Sequence, residues 1–227
     1  MGPGINMEIS ERLLDISQLV ALLCWTAVYI LMVKRGVQDR SFGMPLAALA
    51  IDISWECYFT FFTGAPWSQR IPAMPWFVLN LGVLYTAYRY GREDFDWPIL
   101  KRWFRTILTL MLLVAFWLVY SFIKAFDDSY GALTSMFAVI GYSTLLPVML
   151  IRRNSIKGQS IYIALLILLG DAAGYIPTMH AQAHLHTPLP AGFMHAVYSY
   201  ALPVHVFYVW LVWWVARRDG INPWTRL

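Results

Sequence analysis

Charge is what this chain has least of: 13% of its 227 residues are Asp, Glu, Lys or Arg, against roughly 25% in a soluble domain. So few charges cannot solvate a surface of ordinary size. Cysteine is scarce too, at 2 residues. Cys24 and Cys57 both sit in apolar surroundings, where a free thiol acts as a small apolar group and implies neither a disulfide framework nor a thiolate metal site. No basic leader precedes the first apolar run. Glu8, Glu11, Arg12 and Asp15 stand there instead, with no small-residue cleavage motif, so a removable signal peptide is not expected.

What fills the chain is apolar: 59% of residues are hydrophobic and 16% aromatic. Apolar runs recur at 14–33, 44–63, 74–90, 104–123, 132–151, 161–179 and 194–216, each close to the roughly 20 residues that a hydrocarbon core requires. The connections are too short to hold a soluble domain. The expected fold class is therefore all-α, a polytopic, multi-pass membrane protein whose seven transmembrane helices form a single domain over 1–227. Apart from Arg12, Arg70 and Lys124, every Lys and Arg lies in the connections after the first, third and fifth runs or at the C-terminus. By the positive-inside rule the N-terminus is expected outside and the C-terminus in the cytoplasm, which also requires an odd number of spans. The basic excess thus reports the lipid bilayer as partner, and no nucleic-acid partner is expected.

Against this background the segment Asp52-Ile53-Ser54-Trp55-Glu56 stands out. Two acids four residues apart share one helix face, about 6 Å apart along the axis, and at that distance the pair is expected to hold a proton between them. Each acid at the centre of a span costs about 2.5–3.5 kcal/mol on the insertion scale, whereas a Leu, Ile, Phe or Val returns only about 0.3–0.6. Neighbouring helices must therefore cover them. Asp171 lies in the sixth run beside Gly170 and Gly174, small residues that permit close helix contact, and His205 lies in the seventh. No Lys or Arg accompanies these acids at their depth, so they must be protonated, hydrated or hydrogen-bonded. Intramembrane ionisable residues are functional candidates by default. Asp52, Glu56, Asp171 and His205 form the candidate catalytic set, with Trp55, Tyr58, Asn80, Trp117, Tyr142, Tyr175, Tyr198 and Tyr208 as candidate cavity walls.

Three polar segments look like sites and read more simply as loops. Gly91-Arg92-Glu93-Asp94-Phe95-Asp96 is a solvated charged turn, and Asp127-Asp128-Ser129-Tyr130-Gly131 lacks the third acid that a metal-diphosphate motif needs. His180, His184 and His186 have a metal-compatible spacing but no carboxylate or cysteine partner nearby, so no metal site is expected there. An outer loop with several prolines is flanked by Trp67 and Trp76, aromatics suited to the membrane interface.

Wording adds to this inventory. The elements Trp25, Tyr29, Asp39-Arg40-Ser41-Phe42-Gly43-Met44-Pro45-Leu46 and Trp55-Glu56, with Gly141-Tyr142, Arg152 and Gly158-Gln159-Ser160, resemble the signature of the PaxB-like integral-membrane terpene cyclases of meroterpenoid and indole-terpenoid biosynthesis. The resemblance implies an acid-initiated cyclase that needs no metal or other cofactor. Its substrate would be a hydrophobic, prenylated, aromatic-linked small molecule, protonated at an olefin or an epoxide, and a pathway prenyltransferase would supply it. Glu56 falls on the family's protonating position. The family's second acid, three residues before a Tyr in the last helix, is replaced here by His205 ahead of Tyr208. Asp52 stands where fungal relatives are expected to carry Asn, so Asp52 or Asp171 would supply what position 205 does not. Two other readings fit less well. A small-solute or proton-coupled transporter could bury midplane acids but would be expected to show an internal repeat, and a retinal photoreceptor needs a lysine in the last span, which has none.

Overall fold

The computed structural model describes residues 11–64, 70, 73–129, 131–182 and 192–227. Trp67, Tyr130, His184 and His186 lie outside them. Seven α-helices occur where the seven apolar runs fall, and the described residues contain no strand. They are α1 (Glu11–Asp39), α2 (Leu46–Cys57), α3 (Ala73–Tyr90), α4 (Pro98–Phe126), α5 (Ala132–Arg153), α6 (Ile161–Gln182) and α7 (Phe193–Arg218). Among the described residues α1, α4, α5, α6 and α7 are long and apolar enough to cross a membrane. The chain is an integral multi-pass membrane protein. α2 has only 12 residues but runs on through a π-helical turn, Tyr58–Phe62, that begins just after Glu56. Pro45 stands immediately before α2, and Pro98 opens α4, a position where its missing N–H leaves no helix bond unmade.

The helices α1, α3, α2, α5, α7 and α6 follow one another around a ring, each packed on the next, with the most extensive contact between α1 and α6. α4 lies outside the ring on α2. Its face bearing Leu110, Leu113, Val114, Trp117 and Leu118 is covered by no other helix, the expected state of a surface whose solvent is lipid. α1 and α3 approach closely because Gly36 has no side chain. A Cβ there would lie 2.8 Å from Thr86 Cγ2.

One end of the bundle is closed by a polar clasp. Asp39, the last residue of α1, pairs with Arg35 and with Arg226 of the C-terminal tail, and also accepts the Gly158 N–H at 2.8 Å. Arg226 donates on to the Gln159 carbonyl at 3.1 Å. Gln159 donates to the Gly43 carbonyl and accepts from Tyr208 Oη at 2.5 Å. The segments 39–46 and 158–160 therefore meet in space. Arg153 donates to the Phe42 carbonyl at 2.7 Å, lies over the Phe42 ring and pairs with Asp94. This corrects the reading of 91–96 as a solvated turn. Glu93 makes only an exposed pair with Arg92, but Asp94 is drawn inward by a guanidinium that desolvation leaves short of partners. Asp127 adopts the left-handed conformation that ends α4, and the Asp128 carboxylate accepts the Leu133 and Thr134 N–H groups at 3.2 and 2.8 Å, so this acidic pair joins two helices.

Two outcomes are expected from this architecture. Single cysteines placed in the α6–α7 connection and at position 157 should be labelled from opposite sides of intact membranes, and labelling of both from one side would remove the seven-span, N-outside arrangement. Gly158→Ala should destabilise the detergent-solubilised protein by about 1–3 kcal/mol in a thermal unfolding assay. Gly158 has φ +74°, and a Cβ on it would lie 2.5 Å from the Phe42 carbonyl oxygen.

Candidate functional site

Inside the ring lies a cavity of about 230 Å³. All six ring helices line it, and its charged lining residues are Asp52, Glu56 and Asp171, with no Lys or Arg. α2 contributes Asp52, Trp55 and Glu56 because positions 52, 55 and 56 share a helix face. α1 contributes Trp25 and Tyr29, α3 Trp76, α5 Tyr142, α6 Asp171 with Gly170 and Gly174, and α7 Tyr198.

The acids on α2 are joined by one side chain. Asn80 Nδ2 donates to Asp52 Oδ2 at 3.0 Å and to Glu56 Oε2 at 2.8 Å. Tyr29 Oη donates to the same Asp52 oxygen at 2.7 Å. Asp52 thus has two direct donors and Glu56 one, with the Tyr29 hydroxyl also standing close to the Glu56 carboxyl group. Glu56 is 1% exposed, and its Oε1 has no hydrogen-bond partner among the described residues. A buried carboxylic acid can tolerate that arrangement better than a buried carboxylate, whose ionised oxygens require donors.

Across the cavity Asp171 is surrounded by donors. Tyr142 Oη lies 2.7 and 2.8 Å from its two oxygens, Trp25 Nε1 3.2 Å from Oδ1, and His205 Nε2 2.8 Å from Oδ2. His205 is fully buried behind Asp171, also within 3.2 Å of Ser143 Oγ. The rings of Trp25 and Tyr142 meet edge to face, with centroids 4.9 Å apart.

Of the residues singled out in the sequence, Asp52, Trp55, Glu56, Tyr142, Asp171 and Tyr198 reach this cavity, while Asn80 and His205 stand one hydrogen bond behind it. The other four lie elsewhere. Trp117 is 68% exposed on the outer face of α4, so its ring is directed away from the ring interior. Tyr58 packs with Val119 and Ile123 on the side of α2 that meets α4. Tyr208 belongs to the polar clasp through Gln159, and Tyr175 pairs with His195 and meets Tyr198 edge to face. Trp25 and Tyr29 were not among the candidate site residues, yet they donate to the acids of opposite walls. Their signal was a four-residue spacing that places both rings on one face of α1.

Comparison with known proteins gives a consistent result. A family model described as Pyr4-like transmembrane terpene cyclases matches residues 7–218. The Pyr4-family terpene cyclase mfmH of Annulohypoxylon moriforme is 34% identical over 144 residues, covering 61% of this chain and 58% of that protein. Terpene cyclase dpasB of Apiospora sacchari is 26% identical over 227 residues, covering 90% and 87%. Asnovolin H synthase nvfL of Aspergillus novofumigatus is 26% identical over 100 residues, covering 43% and 41%. The chain thus spans a little over half the length of the first of these relatives. No solved structure matches it.

The donor arrangement makes a prediction independent of activity. Asn80→Ala leaves two neighbouring acids without their shared donor and should lower stability by about 1–3 kcal/mol, whereas Tyr29→Phe, which leaves Asp52 its Asn80 bond, should cost about 1 kcal/mol. Thermal unfolding of the solubilised variants checks the order, and a larger loss for Tyr29→Phe would contradict it.

Proposed function

The chain belongs to the Pyr4-like transmembrane terpene cyclase family, and on that premise we propose that it cyclises a prenylated, aromatic-linked precursor within the membrane, with Glu56 as the initiating acid. The observation that carries this reading is the Asp52–Asn80–Glu56 bridge in a cavity with no Lys or Arg among its lining residues. Asp52 receives two donors and accommodates negative charge, so the proton of the pair resides on Glu56, whose Oε1 is unpartnered among the described residues.

In the initiating step the Glu56 O–H bond breaks and the proton passes to an alkene carbon or an epoxide oxygen of the substrate. A carbocation forms as Glu56 becomes a carboxylate. Asn80 Nδ2 already points at Oε2 and stabilises that charge without reorganising. Neighbouring double bonds then close rings, while Trp25, Trp55, Trp76, Tyr142 and Tyr198 offer electron-rich faces, each worth about 0.5–2 kcal/mol to a cation held against it. Loss of a proton ends the cascade, so the product is an isomer of the substrate. At about 230 Å³ the cavity is smaller than the roughly 300–1,000 Å³ of sites that enclose a whole drug-sized ligand. It accommodates a folded part of the prenyl chain, with the aromatic head outside it.

Membranes containing the protein should convert a farnesylated or geranylgeranylated indole or phenol into a cyclic product of unchanged mass, and a chelator should not alter the rate. Glu56→Gln keeps size and hydrogen bonding but removes the transferable proton, and should reduce turnover by about 10²–10⁴-fold with unchanged thermal stability. Asp52→Asn should be milder, because an amide still fills the site beside Tyr29 and Asn80. Near-normal turnover in Glu56→Gln would refute the assignment of the donor.

A further inference from the structure

The wall opposite Glu56 has the reverse proton demand. Among the described residues three side chains hydrogen-bond the Asp171 carboxyl group: Trp25 Nε1 at 3.2 Å, Tyr142 Oη at 2.7 and 2.8 Å, and His205 Nε2 at 2.8 Å. The histidine contact has a defined direction because of Ser143. Ser143 Oγ commits its hydrogen to the Val139 carbonyl at 2.5 Å, so its 3.2 Å contact with His205 Nε2 must be donated by the ring. Nε2 therefore carries the hydrogen and also donates to Asp171. The other ring nitrogen, Nδ1, is buried with no partner among the described residues. A cationic ring would leave an N–H there without an acceptor, whereas a neutral ring leaves only a lone pair. The geometry thus gives the Asp171 carboxyl group three neighbouring donors in the same cavity as Glu56.

We propose that Asp171 accepts the proton that ends the cascade, with Trp25, Tyr142 and His205 as the residues that position it. The inference rests on the reading of Glu56 as initiating acid and adds the other half of the proton's course. In the closing step a C–H bond next to the carbocation breaks, its electron pair forms the product double bond, and the proton goes to an Asp171 oxygen. One proton has left Glu56 and one has arrived at Asp171, so the protein's charge is unchanged; before the next turnover Asp171 releases its proton to water and Glu56 takes one up from water. The rings of Trp25 and Tyr142 favour the cation beside the base. Which C–H they leave facing Asp171 sets the double-bond position.

The test is turnover of a prenylated indole or phenol in D2O by membrane-embedded wild type, Asp171→Asn and Tyr142→Phe, scored by mass and by product ratio. Wild type should take up one deuterium and give one predominant olefin. Asp171→Asn should still take up deuterium, while the ratio of shifted olefins and water-trapped alcohols to the native olefin rises by about tenfold or more. Tyr142→Phe keeps the carboxylate and should move the ratio in the same direction by less, a change that a merely structural role would not produce. If Asp171→Asn does not fold, the Tyr142→Phe ratio decides. An unchanged product ratio would overturn the inference, and so would a folded Asp171→Asn protein that takes up no deuterium, since Asp171 would then act at the start. Cyclisation by wild type without deuterium uptake would instead refute the initiating acid, and this inference with it.

Discussion

Three carboxylic acids share one cavity in a chain that places no lysine or arginine among its lining residues, and the arrangement of the helices follows from the need to solvate them. In water each acid would be served by solvent. Within a bilayer the donors have to come from neighbouring helices. They do: α1 supplies Tyr29 to one wall and Trp25 to the other, α3 supplies Asn80, α5 supplies Tyr142 and α7 supplies His205. The ring is held by apolar packing on its lipid side and by these polar contacts within. Because these five side chains come from four helices, a displacement of any one of the four would leave an acid short of a partner.

The two walls differ in kind although both are built from carboxylates. On α2 two acids compete for few donors, which favours retention of a proton. On α6 one acid is met by three polar side chains from three other helices. Donor number is thus what sets the two walls apart, with no Lys or Arg among the cavity-lining residues. His205 contributes by position: it brings an N–H to Asp171 from a helix where the family resemblance would place a carboxylate.

Much of the fold was readable because its signals are local. Seven apolar runs gave seven helices, and the four-residue spacing of Asp52 and Glu56 sufficed to put both acids on one face. What escaped was the direction of single aromatic faces. Trp117 and Trp25 are both tryptophans within apolar runs, and only the seating of α4 outside the ring and of α1 within it separates lipid contact from cavity wall. Asp94 was read as solvated because its partner, Arg153, is 59 residues away in the chain. The same limit hid the clasp. The resemblance drew attention to the segments around Asp39 and Gly158 separately, and only the structure brings them together, through the carboxylate of one and the backbone N–H of the other.

The seat of α4 also bears on how the protein is made. Ribosomes deliver helices in order, so α2 leaves the translocon after α1 and before α3, α4 and the rest. At that moment Tyr29 is the one hydrogen-bond partner already synthesised for its two acids, since Asn80 is still to come, as is the surface of α4 that packs on the other side of α2. With 12 α-helical residues and a π turn, α2 is the segment least able to remain in lipid by itself. Biogenesis must therefore pass through a stage in which α2 waits beside α1 or in the insertion machinery, and the acids that line the cavity are also what makes its assembly order-dependent.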